Sequence, residues 1–513
     1  MKLLKICLAL GCLVGSLSVN AQSAPIVQIQ SGRIAGLQQQ GVDIFLGIPY
    51  AKPPVGDLRW QRPLTASAWR GIRQATSFGA SCMQAPLPGD AAPLPDNYSE
   101  DCLTLNIWRP SHFKGPTPVM VWVHGGGFVN GGSASPVYDG AAFARAGVIF
   151  VSFNYRLGRL GFFAHPAMDG TMFVGNFGLT DQIKALRWVQ DNIIQFGGDP
   201  RNVTLFGESA GGYSINALLS SRFGRDLFQK AIIQSGNGRH SLAGEQTWQQ
   251  AKAVGVAFAT AHGINGTDKA ALQALRALPA TEVTGDLNMW NMGQNRATYS
   301  GPMIDGQVVE KEPQDAYQRG DFARVPLLVG ANSADLGFVM TQPTNRAAVL
   351  AQFGSAAEAA ATAYANVADK NALAYQVAMQ KMMLEPARFV ARTFAEKNTP
   401  VWQYRFGYVA QHQQATWAGA PHASEIPFIF NTLSAVYGDK ITAEDQQVAN
   451  MMQQYWVNFA KNANPNSTSL PEWQQYQQAS DRLLWIAPQG VSATQSLTDP
   501  QQSQLDLVEK LQQ

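Results

Sequence analysis

The pentapeptide Gly207-Glu208-Ser209-Ala210-Gly211 stands between an apolar, β-branched run, Val203–Phe206, and a helix-like stretch, Ala210–Ser221. A strand that passes directly into a helix must turn sharply, and glycines at both flanks relieve the crowding there. The turn pushes the serine between them out of the sheet. The N–H of Ala210, at the helix start, then points toward any negative charge that develops beside that serine.

The same pattern recurs along the chain. The run Val119–Val123 ends in His124-Gly125-Gly126-Gly127, and Val148–Phe153 ends in Asn154-Tyr155-Arg156. Further runs follow at Ala231–Ile233, Val325–Val329 and Val401–Arg405, with helical patterns such as Leu179–Phe196 between them. Continuous apolar strands alternating with helices predict an α/β fold: a large, mostly parallel central sheet with helices on both faces. Ligands of such sheets bind beyond the carboxyl ends of the strands, where the polar motifs fall. The region 240–300, with its Asn288–Met292 cluster, and the Ala/Gln/Met-rich region 340–385 are expected as helical insertions over that end. No fixed-period repeat or long linker divides the chain, so one domain is expected from residue 22 to 513.

The first residues are expected to be removed. Lys2 and Lys5 precede an apolar stretch from Ile6 to Val19, and Val19-Asn20-Ala21 has the small-residue pattern of a signal-peptide cleavage site, which places the protein in the periplasm or outside the cell. The apolar stretch is short for a membrane span and no second one follows. The chain has 38 basic and 36 acidic residues, and loss of Lys2 and Lys5 brings them into balance. A neutral protein has little long-range attraction for nucleic acid or anionic membranes, so the expected partner is a small, weakly charged molecule. Cys7 and Cys12 leave with the signal. Cys82 and Cys102 remain, an even pair in an oxidising compartment, and are expected to form a disulfide worth roughly 3 kcal/mol. No Cys/His spacing suggests a metal, and no organic cofactor is implied.

Ser209 is therefore the candidate nucleophile. The successive glycines after His124 let backbone N–H groups approach an oxyanion, so Gly126 and Gly127 are the candidate donors, with Ala210 the third. The base of such a serine follows it and an acid in chain order. Of seven histidines, only His412 and His422 lie beyond residue 400. His412 sits in a glutamine-rich loop and reads as a solvated surface residue, which leaves His422, in Gly419–Pro427, as the base. Asp335 comes just after the run 325–329 and is the candidate acid, which holds the imidazole in one tautomer and stabilises its charged form. Asp305 reads as a turn aspartate. Glu208, beside the serine, and Glu425, beside the histidine, are expected to stand behind the reacting groups.

With these residues placed, the chain resembles the type-B carboxylesterases, the family of liver carboxylesterases, cholinesterases and bacterial p-nitrobenzyl esterases. The resemblance spans about residues 26–490 and rests on Phe45–Tyr50, Ser99–Asn106, His124–Phe128, Asn154–Arg156, Gly175–Gln182, Phe196–Pro200 and Phe206–Gly212. It implies one α/β-hydrolase domain, with Ser209 as nucleophile, His422 as base, and Gly126, Gly127 and Ala210 as oxyanion donors. It also pairs Cys82 with Cys102. The family most often has glutamate as the acid, within Asn-x-x-Glu-Gly. Here Asn332–Gly337 carries Asp335 at that place and Leu336 where glycine is usual, so the loop must come closer to His422. Cholinesterases carry a tryptophan inside the first disulfide loop to hold quaternary ammonium. Between Met83 and Asp101 there is Tyr98 but no tryptophan, which speaks against choline esters.

The implied activity is hydrolysis of small, uncharged or apolar carboxylic esters through an acyl-enzyme. Two other readings are compatible with the residues: a non-catalytic, adhesion-type member of the fold, and a lactone, amide or polyester hydrolase using the same serine, histidine and acid.

Overall fold

Two residues with positive φ, Gln40 (47°) and Gly41 (76°), join the first two strands of the central sheet, a pairing that matches the twist of a tight hairpin. The computed structural model describes residues 24–170, 175–240, 246–292, 301–336 and 343–512. The expected signal peptide, 1–21, lies outside the described residues. Among them, eleven strands form the main sheet: β1 Leu37–Gln39, β2 Val42–Pro49, β3 Thr104–Pro110, β4 Thr117–Val123, β5 Ile149–Phe153, β6 Gly198–Glu208, β7 Lys230–Gln234, β8 Leu327–Asn332, β9 Val401–Phe406, β10 Arg482–Ile486 and β11 Gln495–Thr498.

Their spatial order is β11-β10-β9-β8-β7-β6-β4-β5-β3-β2-β1. From β5 across to β10 all neighbours run parallel. The pairs at the two edges are antiparallel. The mostly parallel sheet expected from the apolar runs is present, with antiparallel margins that those runs did not signal. The strand expected from Val325 begins at Leu327, because Pro326 has no N–H to give to the ladder. It runs on to Asn332.

Alternation along the strands divides the core in two. Val119, Val121 and Val123 of β4 face one cluster with Leu205, Ile233 and Val329. Met120 and Trp122 face the other with Phe206, Ile232 and Leu328. Helices α1 Phe177–Asn192 and α2 Ala210–Ser220 add Leu186 and Leu218 to the first cluster. After α3 Trp248–Ala261, α4 Lys269–Ala277, α5 Lys370–Met379 and α6 Glu385–Glu396, the long helix α7 Ala443–Asn462 covers the second face through Met452, Trp456 and Phe459. A parallel sheet buried on both sides explains why its strands read as unbroken apolar runs.

The chain steps from β4 to β5 on one side and then crosses back to place β6 on the other. That reversal opens a crevice at the carboxyl ends of β4 and β6. No helix among the described residues is long and apolar enough to cross a membrane.

Candidate active site

Ser209 follows β6 with φ 52° and ψ −123°, a backbone conformation that costs a non-glycine residue about 1–3 kcal/mol. Its flanking glycines and one backbone hydrogen bond fit it to that turn. A β-carbon at Gly207 would come within 2.6 Å of the Val123 carbonyl oxygen, and one at Gly211 within 2.0 Å of the same atom. Glycine is therefore required at both flanks. The N–H of Ser209 donates to Gln234 O at the end of β7 (2.9 Å), and α2 begins at the next residue.

The loop after β4 lies against this turn, so that a β-carbon at Gly125 would stand 3.2 Å from Cβ of Ser209. Gly126 (φ 105°) and Gly127 (φ 62°) occupy conformations that favour glycine. Among the described residues, the N–H groups of Gly126, Gly127 and Ala210 make no backbone hydrogen bond. They are thus available to a ligand oxygen. Gly126 O accepts from the N–H of Asn130 (2.8 Å) and closes the loop. The Asn130 side chain donates to Ala85 O (2.8 Å) and accepts from Met289 N–H (3.0 Å). Gln84 grips the neighbouring Gly131 from both sides, accepting from its N–H (2.9 Å) and donating to its carbonyl (2.8 Å). Two carboxamides thereby join the glycine loop to the segment closed by the Cys82–Cys102 disulfide, which is formed.

Asp335 and His422 are brought together. Nδ1 of His422 lies 2.5 Å from Oδ1 of Asp335, whose side chain is fully buried. Oδ2 of Asp335 accepts from Ser235 Oγ (2.6 Å) and from the N–H of Asn332 (2.7 Å). The aspartate side chain, shorter than a glutamate, therefore reaches the imidazole. Ser235 was not singled out from sequence; its position just past β7, at the carboxyl end of a sheet strand, was the available signal.

Nε2 of His422 lies 3.1 Å from Oε1 of Glu208. Among the described residues, the hydrogen bonds of Ser209 run through its backbone, and none joins its Oγ to His422. Contacts of this kind often tighten only when substrate is bound. Glu425 is buried behind the histidine, where it accepts from Gln234 Nε2 (3.0 Å) and Asn332 Nδ2 (2.7 Å). Three carboxylates thus surround one imidazole. Burial opposes charge on His422, but the carboxylates of Glu208 and Asp335 outweigh it and raise its pKa well above the ordinary value. Burial pushes Glu208 up to about 8, against the opposing pull of His422. Glu425 is raised by burial and then by Asp335. His124 is buried, stacks on Tyr155 at 4.4 Å, and is lowered to about 4 by desolvation, so it is neutral at ordinary pH.

The expected insertions meet this site from two sides. Met289 and Met292 crowd Gly127: a β-carbon there would stand 3.1 Å from Cγ of the first and 2.9 Å from Sδ of the second. From the other region, α5 packs Tyr375 and Met379 against the Asp335 loop. Asp305 accepts from the N–H groups of Gln307 and Val309, a turn as expected. His412 differs from expectation: it is only part-exposed, its ring edge packed on Tyr437 at 4.9 Å.

Comparison with known proteins places this geometry. The family model described as "Carboxylesterase family" matches residues 23–505. Fumonisin B1 esterase of Sphingopyxis macrogoltabida is 36% identical over 480 residues, covering 89% of this chain and 85% of that protein. Para-nitrobenzyl esterase of Bacillus subtilis is 36% identical over 477 residues, covering 90% and 94%. Carboxylesterase 1C of Mus musculus is 33% identical over 508 residues, covering 90% and 89%. Among solved structures, a PNB esterase superposes with a TM-score of 0.81 at 31% identity, over 95% of this chain and 99% of that one.

Proposed function

The chain belongs to the carboxylesterase family, and from that premise we propose that it hydrolyses carboxylic esters through an acyl-enzyme on Ser209, with His422 as base and Asp335 as its acid partner. The observation that carries this reading is the 2.5 Å contact between Asp335 and His422, set beside a strained serine and three unspent backbone N–H groups.

Ser209 Oγ attacks the ester carbonyl while Nε2 of His422 takes its proton. The tetrahedral oxyanion is received by the N–H groups of Gly126, Gly127 and Ala210, and no donor need reorganise to meet it. His422 then passes the proton to the departing alkoxide. Water attacks the acyl-enzyme by the same route, releasing the acid and restoring Ser209. Asp335 fixes the tautomer in which Nδ1 carries hydrogen and Nε2 is free to accept.

Small uncharged or apolar esters are the proposed substrates, in keeping with the thioethers of Met289 and Met292 beside Gly127, soft groups that adapt to apolar shapes. The proposal includes export after cleavage at Ala21 and a mature chain, 22–513, that acts as one catalytic domain. Hydrolysis of p-nitrophenyl esters from acetate to dodecanoate, beside Ser209→Ala, tests it. Activity lost in the variant supports the assignment, and activity retained overturns it. Sequencing the N-terminus of the exported protein tests the cleavage site.

A further inference from the structure

The phenol of Tyr375 touches both residues that flank Asp335. Its oxygen lies 2.7 Å from Ala334 O, 2.8 Å from Leu336 O, and 3.3 Å from the Leu336 N–H, which donates to it. Four residues on, where α5 passes into the π-helical turn Gln380–Leu384, the sulfur of Met379 accepts the N–H of Asp335 itself (3.2 Å). Met379 and Leu336 also share one small apolar cluster with Met383 and Leu384. The backbone on both sides of the carboxylate is thus held from α5, an element distant in the chain from Ser209, Asp335 and His422.

We propose that Tyr375 is a positioning residue for the ester-hydrolase reaction: from α5 it clamps the loop Ala334–Leu336 at the depth that lets the short aspartate side chain reach His422. This rests on the assignment of Asp335 as the acid. An aspartate reaches one methylene less far than a glutamate, so its contact with the imidazole depends on where the backbone stands. The phenol sets that depth, because Ala334 and Leu336 cannot retreat without giving up its hydrogen bonds. Ser235 and the Asn332 N–H fix the carboxylate's other oxygen, so Asp335 is held at its side chain and at both neighbours.

The charged groups that face His422 are Glu208 at the end of β6, Asp335, and Glu425 of its own loop. The phenols of Tyr213, Tyr375 and Tyr404 lie within electrostatic reach of Asp335. Loosening the clamp withdraws one carboxylate from the imidazole while Glu208 and Glu425 stay. The protonated form of His422 then loses support, and the pH below which activity fails moves down.

The test is a cycle of Tyr375→Phe, Asp335→Glu and the double variant in the full chain, with kcat and KM measured from pH 5 to 9. Tyr375→Phe is expected to lower kcat about three- to tenfold with KM unchanged, and to shift the acid limb of kcat/KM to lower pH. Asp335→Glu alone, too long for the clamped loop, is expected to lose tenfold or more. The double variant is expected to regain at least threefold over Asp335→Glu, because the released loop makes room for the longer acid. Tyr455→Phe, which removes a phenol bound to Pro471 O and to none of the site residues, controls for a general loss of stability and is expected to leave kcat unchanged. The proposal is overturned if Tyr375→Phe lowers only the melting temperature, or if the two losses simply multiply. Asp335→Asn separates the two readings. If it stays active, the assignment of the acid fails; if it is inactive while Tyr375→Phe is neutral, only the clamp fails.

Discussion

Oε1 of Glu208 stands 3.1 Å from Nε2 of His422, the ring nitrogen that Asp335 does not take. The residue beside Ser209 therefore shares the nitrogen that, in the proposed mechanism, accepts the serine proton. An ionised Glu208 favours the imidazolium, which cannot act as a base. Glu208 itself is pushed up to about 8 by burial, so near neutral pH it is mostly protonated, and its hold on His422 tightens only as pH rises toward that value.

Glu208→Gln removes that carboxylate and lowers the pKa of His422. The acid limb of the kcat/KM profile, which reports the free enzyme, is expected to move to lower pH, by about one unit or less. Stability follows the same groups. A raised pKa contributes stability that is complete below the ordinary value and is lost as pH rises through the raised one, and both His422 and Glu208 are raised in the wild type. Chemical denaturation at pH 6 and pH 9 is expected to show the wild type losing more stability than Glu208→Gln over that interval; an equal loss in the two proteins would contradict it.

Asp335→Asn keeps the shape of the acid but reverses the hydrogen bond to Nδ1 and favours the wrong tautomer. A loss of about 10³- to 10⁴-fold in kcat is expected, with the fold intact by circular dichroism. A loss below tenfold would move the acid's role elsewhere.

Gly211→Ala puts a methyl group 2.0 Å from the Val123 carbonyl oxygen. Both partners are backbone at the junction of β4 and α2, so neither can swing aside. We expect destabilisation of about 1–3 kcal/mol, read as a lower midpoint in urea, together with loss of activity.

Gln84→Glu replaces the amide that donates to Gly131 O with an acceptor and leaves the contact to Gly131 N–H. The glycine loop is expected to shift, and kcat to fall about tenfold while KM holds, because the interaction affected is made in the transition state. A trifluoromethyl ketone, which mimics the tetrahedral intermediate, should lose affinity in parallel.

Much of the site was legible in the sequence because short-range rules govern it. Ser209, Gly207 and Gly211 are set by what a strand-to-helix turn can hold. His422 followed from elimination among few histidines, and Asp335 from its place after β8. Ser235, Tyr375 and Gln84 were not legible, since each acts across about forty residues of sequence or more through one side-chain group, and no local pattern marks such a contact. The antiparallel strand β3 was missed for a related reason: it pairs with β2 and with β5, both distant from it in the chain. His412 looked solvated by composition, but Tyr437 packs against its ring.

The central claim is that the acyl group passes through Ser209. Its most direct test is intact-protein mass spectrometry of the enzyme treated with a fluorophosphonate, followed by peptide mapping, on wild type and Ser209→Ala. We expect one adduct per chain, located on the peptide containing Gly207–Gly211, and none in the variant. An adduct on another residue, or equal labelling of Ser209→Ala, would contradict the account.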